Sequence, residues 1–94
     1  MVTERNNQII ATERVLKALA NRRRLAIIKF LGTKGRASVG DIAEHIRLSF
    51  AATSRHLRTL AAADLIESEQ VNTTVNYSLS KIKHPALDTI LKIL

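Results

Sequence analysis

Two short apolar-periodic segments, Ser38 to Ile46 and Ser49 to Ala63, are separated only by Arg47 and Leu48, and this tight succession constrains the fold more than any other feature. Ser38 followed three residues on by Asp41 resembles a capping box with the shorter acid, and it opens a brief helix through Ile42, Ala43 and Ile46. Ser49 is the next N-cap candidate. A helix with Phe50, Thr53, Leu57, Leu60 and Ala61 on one face is predicted to run from there to Ala63. Asp64 ends it, because aspartate tolerates the left-handed conformation common at helix ends. Two short helices joined so closely match the helix-turn-helix arrangement.

The flanking sequence extends this unit in both directions. Ile9, Leu16 and Leu19 suggest a first helix ending near Ala20, and Asn21 can cap a second in which Leu25, Ile28 and Leu31 recur every third residue before Gly32 to Gly35 stops it. After Leu65 the texture changes. Ile66 to Gln70 and Val75 to Leu79 are β-branched or aromatic segments separated by four residues, which predicts a hairpin. Pro85 suits the first turn of a closing helix whose Leu87, Ile90, Leu91 and Leu94 form one stripe. The expected fold is therefore mostly α with a small β-hairpin, a winged helix-turn-helix in one domain spanning 1–94. The helix-turn-helix occupies 39–63, the wing 66–79 and the outer helices 6–19 and 84–94.

A 94-residue chain buries only about two thirds of the surface that its unfolded form exposes, so its core is thin and pairing with a second copy is favoured. Residues 1–60 hold 12 Lys and Arg against 4 Asp and Glu, a balance of +8, while residues 61–94 hold 3 against 4, a balance of −1. An excess so placed points to a polyanionic partner. There are no cysteines, which removes disulfides, thiolate metal sites and thiol redox sensing. The stretch Met1 to Gln8 is polar and begins no secretory signal, and no run approaches the roughly 18 apolar residues that span a bilayer, so a cytoplasmic location without membrane contact is expected. Lys81, Lys83 and Lys92 are too few for the last helix to bind a lipid surface.

The second helix of the pair carries Arg55 and Arg58 and no acid until Asp64. With Thr53, Leu57 and Leu60 facing the core, Ala51, Ala52, Ser54, Arg55, Arg58 and Thr59 lie on or near the opposite face, where a major groove would meet them. Arginine forks to guanine or clamps phosphate, hydroxyls donate to phosphate, and alanines permit close approach. Phe50 is either core or a contact to thymine methyl groups. Arg22, Arg23 and Arg24 are either a solvated patch or, because cations in a first turn oppose the helix dipole, the mark of an anionic partner or a nearby carboxylate.

Taken together, Leu19-Ala20-Asn21-Arg22-Arg23-Arg24-Leu25, Val39-Gly40-Asp41-Ile42-Ala43, Leu48-Ser49, Ser54-Arg55-His56-Leu57 and Ala63-Asp64-Leu65-Ile66 resemble the ArsR family of winged helix-turn-helix repressors. The resemblance covers residues 13–80. It implies a recognition helix from Ser49 to Ala63, a wing at Gln70 to Asn76, and DNA-facing positions at Phe50, Ala51, Ala52, Ser54, Arg55 and Arg58. Arg24 matches the family's own arginine, and Ser38, Ser49, Asn72 and Thr73 complete the candidate DNA surface. The first and last helices would form a homodimer interface, here through Ile9, Leu16, Leu87, Ile90, Leu91 and Leu94.

The chain departs from the family in its sensing residues. Where many members carry two metal-binding cysteines, this one reads Ser38-Val39-Gly40-Asp41, and the last helix offers only His84 and Asp88, one turn apart. No metal site or cofactor is expected, since zinc takes about four ligands, and no pattern identifies an effector. Family wings are often basic with a glycine tip, whereas this one has Glu69 and Asn72. His56 is expected to be a hydrogen-bonded structural residue and His45 an exposed one. An enzyme is not expected, because Ser54 and His56, two apart on a helix, point to different faces. The expected function is a dimeric repressor that binds double-stranded DNA at a palindromic operator; the alternative is a winged-helix module that binds another protein.

Overall fold

The computed structural model describes residues 4–82 and 84–94. Within them the order is α1 (Glu4–Leu19), α2 (Arg22–Lys34), β1 (Ala37–Ser38), α3 (Val39–Ile46), α4 (Phe50–Ala62), β2 (Ile66–Val71), β3 (Thr74–Leu79) and α5 (Pro85–Ile93). Residues 1–3 of the polar amino-terminal stretch and Lys83 lie outside the described residues. The expected winged helix-turn-helix is present, and local chemistry explains its boundaries.

Four helices begin at side-chain caps that occupy otherwise unpaired backbone donors. Asn21 Oδ1 accepts from the Arg23 and Arg24 amides at 2.9 and 3.1 Å. Ser38 Oγ accepts from Asp41 N at 3.1 Å, and Ser49 Oγ from Ala52 N at 3.1 Å. His84 Nδ1 accepts from Ala86 N at 3.1 Å, with Pro85 in the first turn of α5. The turns use left-handed residues at the joints. Arg47 (φ 55°) closes α3, Asp64 (φ 59°) follows α4, and Asn72 (φ 58°) turns the hairpin tip between the paired residues Val71 and Thr74. Gly35 ends α2 at φ 88°, a conformation open to glycine.

The sheet has the order β1-β3-β2, all antiparallel, with Ala37 opposite Tyr77 and Ser38 opposite Asn76. Strand β1 was not anticipated. Two residues are too short to show a period of two, and they pair only because β3 is brought beside them by long-range packing. The core joins Ile27, Ile28 and Leu31 of α2 to Ile42 of α3, Leu57 and Leu60 of α4, Leu65, and Leu87 of α5, all essentially inaccessible. Helices α2 and α5 approach closely at Gly32, where a β-carbon would stand 3.1 Å from Leu91 Cδ2.

Two apolar assignments require correction. Phe50 and Ala61 do not join the buried face of α4, which is the narrower stripe Thr53, Leu57 and Leu60. Phe50 sits at the first position of the helix, past the end of the layer that covers those residues. Leu87, expected at an interface between copies, is 0% exposed and belongs to the core of its own chain. The α5 stripe is split by what it meets. Leu87 points into the core, Ile90 and Leu91 are half-buried against it, and Leu94 and the unanticipated Ile93 (72% exposed) face outward.

Candidate nucleic-acid interface

Helix α4 is held from behind and open in front. Thr53, Leu57 and Leu60 are buried, while Phe50, Ala51, Arg55, Arg58 and Thr59 are exposed and Ala52 and Ser54 are half-buried. No carboxylate occurs between Phe50 and Ala62. Among the described residues the only ion pair is Glu13 with Lys17 at 3.8 Å on α1, so Arg55 and Arg58 keep their charge free for a partner outside the chain. Thr59 Oγ1 donates back to Arg55 O at 3.2 Å, which settles its hydroxyl against the helix.

The candidates around α4 divide by the work they already do. Ser38 and Ser49 are N-caps whose oxygens accept amide protons, so each retains only its hydroxyl proton to offer. Asn72 and Thr73 form the exposed hairpin tip, separated from the amino-terminal end of α4 by a cleft of about 420 Å³ lined by Phe50, Ser54 and Thr73 among others. The hairpin itself carries Glu67 and Glu69 and no cation between Ile66 and Leu79.

Arg24, a candidate DNA contact by the family resemblance, makes its hydrogen bonds within the chain. Its Nε donates to Ala18 O, one terminal nitrogen donates to Lys17 O at 3.2 Å, and the other lies 3.4 Å from His56 Nδ1. Its guanidinium thus closes the carboxyl-terminal carbonyls of α1 and bridges to α4. Arg23 acts similarly, donating to Ile46 O at the end of α3 at 2.8 Å. Two of the three cations that oppose the dipole of α2, Arg23 and Arg24, are therefore matched to the negative ends of two other helices, while Arg22 is exposed. The sequence contains the basic run, but only the tertiary arrangement reveals which carbonyls it meets.

His56 is the structural residue expected, with its Nδ1 accepting from Arg24. Burial first, then the Arg24, Arg55 and Arg23 charges, push its pKa below the ordinary value of 6.5, so the ring is neutral and stays an acceptor. His45 is exposed, as expected, and stacks on Phe30 with ring centroids 4.0 Å apart. Both nitrogens of His84 are engaged: Nδ1 caps α5 and Nε2 stands 3.3 Å from Thr12 Oγ1, which itself donates to Gln8 O. Among the described residues no three potential ligands gather for a metal, and no helix is long and apolar enough to cross a membrane.

A second surface lies on α1. Ile9 and Leu16 are 62% and 51% exposed, although Val15, Ala18 and Leu19 of the same helix are buried, and the two exposed residues line an apolar groove of about 630 Å³ with Thr12 and Ala20.

Comparison with known proteins agrees with this geometry. The family described as "Bacterial regulatory protein, arsR family" matches residues 21–68. The transcriptional activator HlyU of Vibrio cholerae serotype O1 is 36% identical over 77 residues, covering 82% of this chain and 70% of HlyU. The structure of reduced HlyU superposes with a TM-score of 0.80 at 31% identity, covering 97% of this chain and 92% of that one. The nodulation protein NolR of Rhizobium meliloti is 38% identical over 79 residues, which cover 84% of this chain but span only 59% of NolR. A homodimeric winged helix-turn-helix DNA-binding domain from Mycobacterium bovis, described as a possible ArsR-family regulator, superposes at a TM-score of 0.80 and 26% identity, covering 97% and 82% of the two chains.

Proposed function

The chain belongs to the ArsR family of bacterial regulatory proteins, and from that premise we propose that it acts as a homodimeric repressor on a palindromic operator in the cytoplasm. One observation carries the reading: the exposed face of α4 presents Arg55 and Arg58 without a carboxylate on the helix, over a buried anchor of Thr53, Leu57 and Leu60. Rigid backing matters because base readout needs side chains held in register with a groove. Ala51, Ala52 and Ser54 let the start of α4 approach base edges, while Arg55 and Arg58 supply forked donors for guanine or phosphate. Ser38, Ser49, Asn72 and Thr73 are assigned to phosphate contacts at the margins, and Thr59, whose hydroxyl is spent on Arg55 O, is assigned only a packing contact beside them. Repression follows from an operator that overlaps a promoter.

Twofold pairing is supported by the exposed Ile9 and Leu16 on α1, with Ile90, Leu91 and Leu94 of α5 alongside. Burying such residues in a second copy removes apolar surface that a thin monomeric core cannot cover. Two α4 helices would then enter successive major grooves about 34 Å apart. The test is to titrate salt against binding to a random-sequence duplex. Log affinity should fall steeply with log salt, and Arg58→Ala should make the slope shallower by about one if that residue meets a phosphate. No binding at low salt would overturn the reading in favour of a protein-binding module.

A further inference from the structure

From its position and exposure we infer that Phe50 reads the C5-methyl group of a thymine in the operator, an inference that rests on the duplex-binding reading above. Phe50 is the first residue of α4, directly after the Ser49 cap, and 63% of its surface is exposed. Leaving a phenylalanine in water forgoes the stabilisation that burial would supply. Among the described residues nothing covers the exposed part of the ring. The buried stripe of α4 begins one turn later at Thr53, and the ring leaves unfilled the cleft that it shares with Val39, Gly40, Ser54, Thr73 and Val75.

The ring is therefore available to a partner, and its neighbours say which kind. It stands on the same helix as Arg55 and Arg58, with no acid on that helix, so a polyanion is drawn to the helix whose first residue it is. In helix-turn-helix proteins the amino-terminal residues of the second helix are the ones that reach base edges. Sugar and phosphate bring no methyl group to that position. On the major-groove edges of the four base pairs the one apolar group is the thymine methyl. An aromatic ring in this place consequently discriminates thymine from cytosine, whose C5 is bare, and does so without a hydrogen bond. Ala51 beside it keeps the backbone close enough for the contact.

The experiment uses the full chain and duplexes selected from a random pool by the wild-type protein. Each thymine of a selected duplex is replaced in turn by deoxyuridine, which keeps the base pairing and removes only the methyl group. At one thymine per half-site the wild type should lose about fourfold in affinity, the factor for withdrawing one buried methyl-sized group. Phe50→Ala should bind the thymine and deoxyuridine duplexes equally at that position. Because the ring is exposed, this variant should unfold at the wild-type temperature, which confirms that binding and not folding has changed. The inference is overturned if no deoxyuridine replacement affects the wild type, or if the same loss persists in Phe50→Ala. A pool that yields no enriched duplex defeats the sequence-specific reading itself, and this inference with it.

Discussion

The arginines at the start of α2 and the arginines of α4 belong to the same charge excess, yet they are used in opposite directions. Arg23 and Arg24 turn inward to the carboxyl-terminal carbonyls of α3 and α1, whereas Arg55 and Arg58 stand in solvent on a helix with no carboxylate. A helix end carries about half a negative charge, so a cation close to one finds its counter-charge within the fold. Net charge consequently overstates what is available to DNA. The part that counts lies where no helix terminus is in reach.

The largest test of this division is Arg24→Ala. It strips charge-assisted hydrogen bonds from the end of α1, and the unfolding free energy in denaturant should fall by about 2–3 kcal/mol. The affinity of the protein that remains folded should change little, and a loss as large as that from an α4 arginine would break the comparison. Arg55→Ala should show the reverse pattern. Binding to a selected duplex should weaken by about 1–3 kcal/mol if the side chain reads a base, while stability moves by less than about 0.5 kcal/mol. Arg23→Ala removes one bond to Ile46 O and should cost about 1–1.5 kcal/mol of stability by the same denaturant measurement.

The smallest effect is a pH dependence at the point where the two groups meet. His56 accepts from Arg24 and has a pKa below 6.5 in the folded chain, so between that lower value and about 6.5 the unfolded chain binds more protons. Its contribution is fully present above pH 6.5 and is lost as the pH falls through the folded pKa. Relative to His56→Gln, the wild type should therefore lose stability on acidification and hold it on the alkaline side. A constant difference across pH 5 to 8 would detach His56 from the arginine cluster.

Local chemistry was readable in advance where a residue settles its own backbone. Ser38, Ser49 and Asn21 cap helices, and Asp64 takes the left-handed turn that its short side chain allows. The hairpin was expected for the same reason, although each strand runs one residue further toward the tip. Features decided by distant neighbours were not readable. Leu87 and Ile93 look alike on the α5 stripe, and only the position of the core separates the buried one from the exposed one. Phe50 has the periodicity of a core residue but lies beyond the layer that would cover it. The anchoring role of Arg24 depends on α1 ending beside α2 and α4, a juxtaposition absent from any short window of sequence.

Strand β2 lies at the margin of the sheet, paired on one side with β3 alone, and its Glu67 and Glu69 sit on the same side of the ribbon. An unsatisfied margin of this sort is a template on which another molecule's ribbon can zip. Two carboxylates spaced along it make such self-templating repulsive. Two copies of this chain are thereby kept from fusing sheet to sheet through their β2 edges.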